Sequence, residues 1–168
     1  MLGLTNSLTN AKPLLYDSVG CTAFDGAREY IDTEQTFQAI LRDSFTIAFW
    51  LRTNTRGLTY FGTKESSDTN HLMLTDASGV LTFEFKANSD PIKIESDGAL
   101  FAADGTGSEW WHIAIVVTKT GTGASDNSTV AIYKNGSALE NLTVTGALAG
   151  SNQGSYACND NLAIGALN

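Results

Sequence analysis

The chain alternates apolar and polar positions with a period of two over several short stretches. Phe45, Ile47, Phe49 and Leu51 fall on one face of such a stretch, and Thr46, Ala48, Trp50 and Arg52 fall on the other. Leu81, Phe83 and Phe85 alternate with Thr82, Glu84 and Lys86, which gives a clean solvent face. Successive strand residues point to opposite sides of a sheet, so this pattern predicts half-buried β-strands. Trp111, Ile113, Ile115 and Val117 alternate with His112, Ala114 and Val116, so both faces there are largely apolar and the strand is expected at the centre of a sheet. Val130, Ile132 and Tyr133 run into Lys134-Asn135-Gly136. Asn-Gly accepts positive φ at both central turn positions and marks a tight hairpin. The returning strand is predicted over 138–144, and a last short strand over 162–165.

Between these stretches lie glycines and only two prolines, Pro13 and Pro91. Many short strands punctuated by turn residues indicate a β-sandwich or barrel. One segment departs from period two. In Glu34–Leu41, Phe37, Ile40 and Leu41 recur at helical spacing, which predicts one or two turns of helix near residues 34–42, too short to stand alone.

Composition narrows the function. At 168 residues the chain suits a single domain that buries roughly 70% of its extended surface and needs no staple. Charged residues are only 17% of it, and Ser, Thr, Asn and Gly take their place. The net charge of −8 repels phosphate backbones, so nucleic acid is excluded as an expected partner. No apolar run is long enough for a membrane-spanning helix, and no membrane insertion is expected. Met1–Asn10 lacks the charged and apolar regions of a signal peptide. Cys21 and Cys158 show no metal-type spacing; they read as buried thiols, although N- and C-terminal strands of a sandwich are often neighbours and a pairing stays open.

Several pieces resemble a known family. Phe24-Asp25-Gly26 with Tyr30-Ile31-Asp32 resembles the FDG…DYV opening of laminin-G-like jelly rolls, and Phe45–Leu51 resembles their FTISAWV strand. Trp111–Ala114 resembles WHHVA, Tyr133–Gly136 resembles LYVNG, and Leu162–Gly165 resembles LxIG. The five pieces follow the family's order across residues 21–165. The resemblance implies an all-β, two-sheet antiparallel jelly-roll sandwich of the laminin-G-like, concanavalin-A-like kind, filling residues 1–168 as one domain. By their family positions, Trp50 and Trp111 are expected in the core. Such domains usually continue past LxIG with a further strand, so the chain is expected to lack the family's last strand and to present an edge open to association. Domains of this kind that begin near an initiator Met without a signal peptide resemble structural proteins of marine tailed phages. That implies a place on a virion surface, or an extracellular one, with other copies or other virion proteins as partners.

The fold hosts many functions, so the chemistry has to be read residue by residue. Retaining glycoside hydrolysis needs two carboxylates about 5–5.5 Å apart. Glu29 and Asp32 point to opposite strand faces. Asp32 and Glu34 share a face without a third carboxylate, and Glu95 with Asp97 is isolated, so no enzyme is expected. Of the two histidines, His112 reads as a packed strand residue and His71 has no evident partner. Calcium is the more credible cofactor, because it takes six to eight oxygens from carboxylates, amides and carbonyls of several loops. The oxygen-rich candidates are Asp68, Asp104, Asp126 and Asp160. A sugar would stack on exposed aromatic faces, for which Trp110, Tyr60 and Tyr156 are the candidates, with Arg56 as a hydrogen-bond donor. Trp110 stands out because its neighbour Trp111 must point the other way. The Asn-X-Ser/Thr triplets at Asn127, Asn135 and Asn141 carry no weight in so Ser/Thr/Asn-rich a chain. Three readings follow: a structural or decorating protein on a particle surface, a lectin-like module with affinity for glycans, and, least supported, a glycoside hydrolase.

Overall fold

A computed structural model describes residues 22–24, 29–64, 69–101 and 109–165. In chain order the elements are β1 (Tyr30–Asp32), α1 (Gln38–Leu41), β2 (Phe45–Leu51), β3 (Thr59–Lys64), β4 (His71–Ala77), β5 (Val80–Ala87) and β6 (Asp90–Glu95). They continue as β7 (Trp111–Thr118), β8 (Asn127–Lys134), β9 (Ser137–Ala138), β10 (Thr143–Gly146), β11 (Leu148–Ala149), α2 (Gly150–Gly154) and β12 (Ala163–Gly165).

The strands form two antiparallel sheets. The larger runs β1-β12-β3-β4-β5-β6-β10, and the smaller runs β11-β8-β7-β2 with β9 paired to β8. The chain is the two-sheet jelly-roll sandwich that the alternation and the motif order imply. Leu81, Phe83 and Phe85 of β5 face Ile113, Ile115 and Val117 of β7 across the interior, all fully buried. Burying each such side chain is worth about 1.5–3 kcal/mol, so the period-two face drives the layering. Strand β7 lies between β2 and β8, the central place expected from its two apolar faces.

Tight turns set the registers. Asn135 and Gly136, at φ 51° and 82°, close the β8–β9 hairpin as two central residues. Ser78-Gly79 and Asn88-Ser89 do the same between β4 and β5 and between β5 and β6, again with positive φ at both positions. A two-residue turn of this hand matches the natural strand twist.

Three expectations are corrected. The strand predicted over 138–144 is two strands in different sheets. β9 ends at Ala138, Asn141 takes φ 54°, and β10 crosses over to pair with β6. Trp50 is not in the core. It alternates with the inward Phe49 and Leu51, so it faces outward, 64% exposed. His71 has a partner: its Nε2 lies 3.0 Å from Glu84 Oε1 on the adjacent strand.

The helical segment is a single turn, α1, anchored by the buried Leu41, with Ile40 exposed. A second turn, α2, carries Gln153, whose fully buried amide donates to the carbonyls of Asp43 (2.6 Å) and Leu41 (3.2 Å). Cys158 is a buried free thiol, and Cys21 lies outside the described residues. Among the described residues no helix is long and apolar enough to cross a membrane.

Candidate functional site

The smaller sheet has an outward face that the core does not use. Its positions on β2, β7 and β8 include Thr46, Ala48, Ala114, Val116, Ala131 and Tyr133, none of them charged. At one end of this face the register sets Trp50 directly opposite His112, with ring centroids 5.3 Å apart and planes tilted by 60°. Beyond that pair, the Arg52 guanidinium lies 5.7 Å from the centroid of the Trp110 ring. Trp110 is 44% exposed. Side-chain alternation accounts for the grouping: Trp50 and Arg52 share one side of their strand, and Trp110 and His112 share the matching side of theirs.

Trp111, between Trp110 and His112, points inward and fixes the end of β7. Its ring stacks on Phe101 at 5.2 Å and 24°, and the Lys134 Nζ sits 3.1 Å from its centroid on the other side. Desolvation pulls the Lys134 ammonium below the ordinary lysine pKa, and Glu109 opposes that shift. The Trp111 indole N–H donates to Glu109 Oε2 at 3.4 Å. The hairpin turn then locks the strand from outside, because the His112 backbone N–H donates to Asn135 Oδ1 at 2.9 Å while the Asn135 N–H donates back to the His112 carbonyl at 2.8 Å. The backbone next to Trp110 is therefore held from several sides, while Trp50 sits on β2 through its pairing with β7.

The sequence candidates distribute as follows. Trp110 lies in this patch. Arg56 does not reach it. Its Nη2 donates to the Phe101 carbonyl at 2.7 Å, so it supports the residue on which Trp111 stacks. Tyr60 is buried, because a register irregularity between Thr59 and Phe61 turns both Tyr60 and Phe61 inward. Its hydroxyl donates to Asp76 Oδ1 at 2.9 Å. Burial, then the Asp76 charge and hydrogen bond, push its pKa well above the ordinary tyrosine range, with Thr53 opposing. Tyr156 is fully buried, its ring 5.2 Å from Phe85 and its hydroxyl 3.2 Å from Thr63 Oγ1. Neither tyrosine offers a face to a ligand.

Two of the four calcium candidates can be placed. Asp68 and Asp104 lie outside the described residues. Asp126 Oδ2 accepts the Gly123 N–H of its own turn at 3.1 Å. Asp160 follows Cys158, whose thiol approaches the Asp160 carbonyl at 3.9 Å. Among the described residues no three His, Cys, Asp or Glu side chains gather at a point that could hold a metal ion. The acidic run at β1 is tied down as well. Glu34 has φ 57°, which breaks the alternation that would align it with Asp32, and Asp32 accepts hydrogen bonds from the Glu34 N–H and the Asn161 amide. Glu95 pairs with Lys93 at 2.9 Å.

A family model described as the concanavalin A-like lectin/glucanases superfamily, of the laminin G type, matches residues 25–166. The chain belongs to that family. Solved structures agree on the fold of this laminin-G-type domain. Domains LG4-5 of the mouse laminin alpha1 chain superpose with a TM-score of 0.57 at 14% identity, over 83% of this chain and 32% of that one. The LG1-3 region of the laminin alpha2 chain gives 0.51 at 14% identity, over 83% of this chain and 25% of that one. The domain thus spans a third or less of the laminin pieces it resembles. No curated protein matches its sequence.

Proposed function

We propose that this laminin-G-type domain is a non-catalytic binding module that engages glycans through the Trp50–Trp110 end of its smaller sheet. One observation carries the reading: two of the three tryptophans stand 64% and 44% exposed at one outward sheet end. Large apolar side chains left in water are disfavoured, and grouped exposure of this kind marks an interaction site. An indole face stacks on the apolar side of a pyranose. The Arg52 guanidinium and the His112 imidazole supply donors to sugar hydroxyls beside it. Among the described residues Asp32 is engaged in a turn and Glu95 in an ion pair with Lys93, which supports a role without catalysis. The net charge of −8 argues against nucleic acid.

A glycan array probed with the purified chain tests this, followed by calorimetry on the strongest hit. Trp50→Ala and Trp110→Ala are each expected to weaken binding about tenfold, the loss of roughly 1.4 kcal/mol of stacking. Thr129→Ala, on the same face but at its other end on β8, is expected to bind like the parent. Absence of any glycan hit, or hits indifferent to both tryptophan changes, would overturn the reading.

A second reading concerns where such a module works: as a structural or decorating protein on a particle surface, a phage virion among them, or otherwise outside a cell, packed against copies of itself or other surface proteins. The uncharged edge of β2, unpaired among the described residues, favours it, since such an edge is suited to strand pairing between chains.

A further inference from the structure

We propose that β2 pairs antiparallel with β2 of a second copy, about a twofold axis at Ala48, to make a continuous sheet across two domains. This deepens the self-association part of the function proposed above and rests on it.

The edges of the two sheets differ sharply. Among the described residues the larger sheet ends in β1, three residues long, and in β10, four residues long and stopped by Gly146 at φ 77°. The far end of the smaller sheet is β11, two residues long. Short edges of this kind are how sheets avoid unwanted pairing. Among the described residues, strand β2 has no such protection. It is seven residues long, Phe-Thr-Ile-Ala-Phe-Trp-Leu, without charge, proline or glycine, and its register with β7 runs unbroken from Phe45 to Leu51. Its inward side chains are also incompletely covered. Phe45 is buried, but Ile47, Phe49 and Leu51 are half-buried, although Ile115 and Ile113 opposite Ile47 and Phe49 are fully buried. Among the described residues, the flank of the core is open at this edge.

Charge and symmetry select a second copy as the occupant. The chain carries 18 acidic and 10 basic residues, yet none lies on β2, so two acidic copies can align here without opposing like charges. A twofold axis perpendicular to the sheet keeps inward residues beside inward residues. The register that uses the whole strand then sets Phe45 against Leu51, Thr46 against Trp50, Ile47 against Phe49 and Ala48 against Ala48. The smallest outward side chain falls on the axis, where two identical residues must meet. The inward pairs are all apolar and close the open flank from both sides.

The test is the mass in solution, by light scattering and sedimentation, of the parent chain, of Ala48→Lys, of Ala48→Glu and of an equimolar mixture of the two variants. Ala48 is exposed, so each variant is expected to melt like the parent. The parent is expected at twice 17.9 kDa. Each variant is expected at the monomer mass, because two like charges would face each other across the axis, and the mixture is expected to return to the dimer as a heterodimer. A parent chain that stays monomeric at every concentration would overturn both self-association and this register. A dimer that survives both substitutions would leave self-association standing and assign it to another surface. Monomeric variants that fail to recombine would overturn the Ala48 axis.

Discussion

The buried carboxylate of Asp76 organises one corner of the sandwich. Its Oδ1 accepts hydrogen bonds from the Leu58 N–H and the Tyr60 hydroxyl, and its Oδ2 accepts from the N–H groups of Gly57 and Gly79, all within 2.9–3.1 Å. Four donors on one ion are strong individually, and leaving any of them buried without an acceptor is costly. Asp76→Ala is therefore expected to lower stability by about 3 kcal/mol or more in urea denaturation, with Asp76→Asn losing roughly half of that. Tyr60 couples the same corner to pH. Its folded pKa is raised above the unfolded value of about 10, so the neutral phenol contributes stability that is fully present below about pH 10 and lost as pH rises through the folded value. Alkaline denaturation is expected to begin above that point, and Tyr60→Phe to remove the slope for a cost of about 1 kcal/mol at neutral pH. Nothing in the sequence marked Asp76, because three of its four donors come from the 57–60 stretch, distant in sequence, and only Gly79 lies near it. Trp50, by contrast, was legible: period two put it opposite the core face of its own strand, and only its place in the family motif pointed inward.

At the level of elements, local pattern was readable where one strand settles its own partner face. β2, β5 and β7 follow from their alternation, and the β8–β9 hairpin follows from Asn135-Gly136. The Asn88-Ser89 turn was not readable, since neither residue is glycine although both adopt positive φ. The division of 138–144 was hidden for a different reason. Leu139, Leu142 and Val144 keep an apolar rhythm while the backbone leaves one sheet for the other, and topology decides such a crossing. Two glycines separate turn strain from steric exclusion. Gly136 has φ 82° and open space around it, so Gly136→Ala should cost only the conformational strain, about 1 kcal/mol. At Gly146, φ is 77° and an added Cβ would run into the carbonyl oxygen of Pro91 on β6. Gly146→Ala is expected to cost more than Gly136→Ala in thermal denaturation. Hydrogen exchange should show the Thr143–Val144 amides losing protection in Gly146→Ala and keeping it in Gly136→Ala, because the clash lifts β10 off its neighbour.

For the whole molecule, the glycan face and the free edge act on each other. In the β2-paired dimer the two Trp50 residues stand on one continuous outward face, four positions apart along the paired strands, roughly 14 Å at about 3.4 Å per residue. Two sites on one rigid face would meet a glycan-coated surface together, and the second contact becomes effectively intramolecular, raising avidity by up to about 10² without any new contact. Against a free oligosaccharide the two sites remain independent. The expected pattern is therefore specific. Ala48→Lys should bind a soluble monovalent glycan as the parent does in calorimetry, yet dissociate much faster from the same glycan displayed densely on a sensor surface. Trp50→Ala should weaken both measurements. If Ala48→Lys instead lowers monovalent affinity, the binding site extends across the strand edge and each copy completes the site of the other. Equal dissociation of parent and Ala48→Lys from the dense surface would separate glycan binding from assembly, leaving each domain to act as a single site.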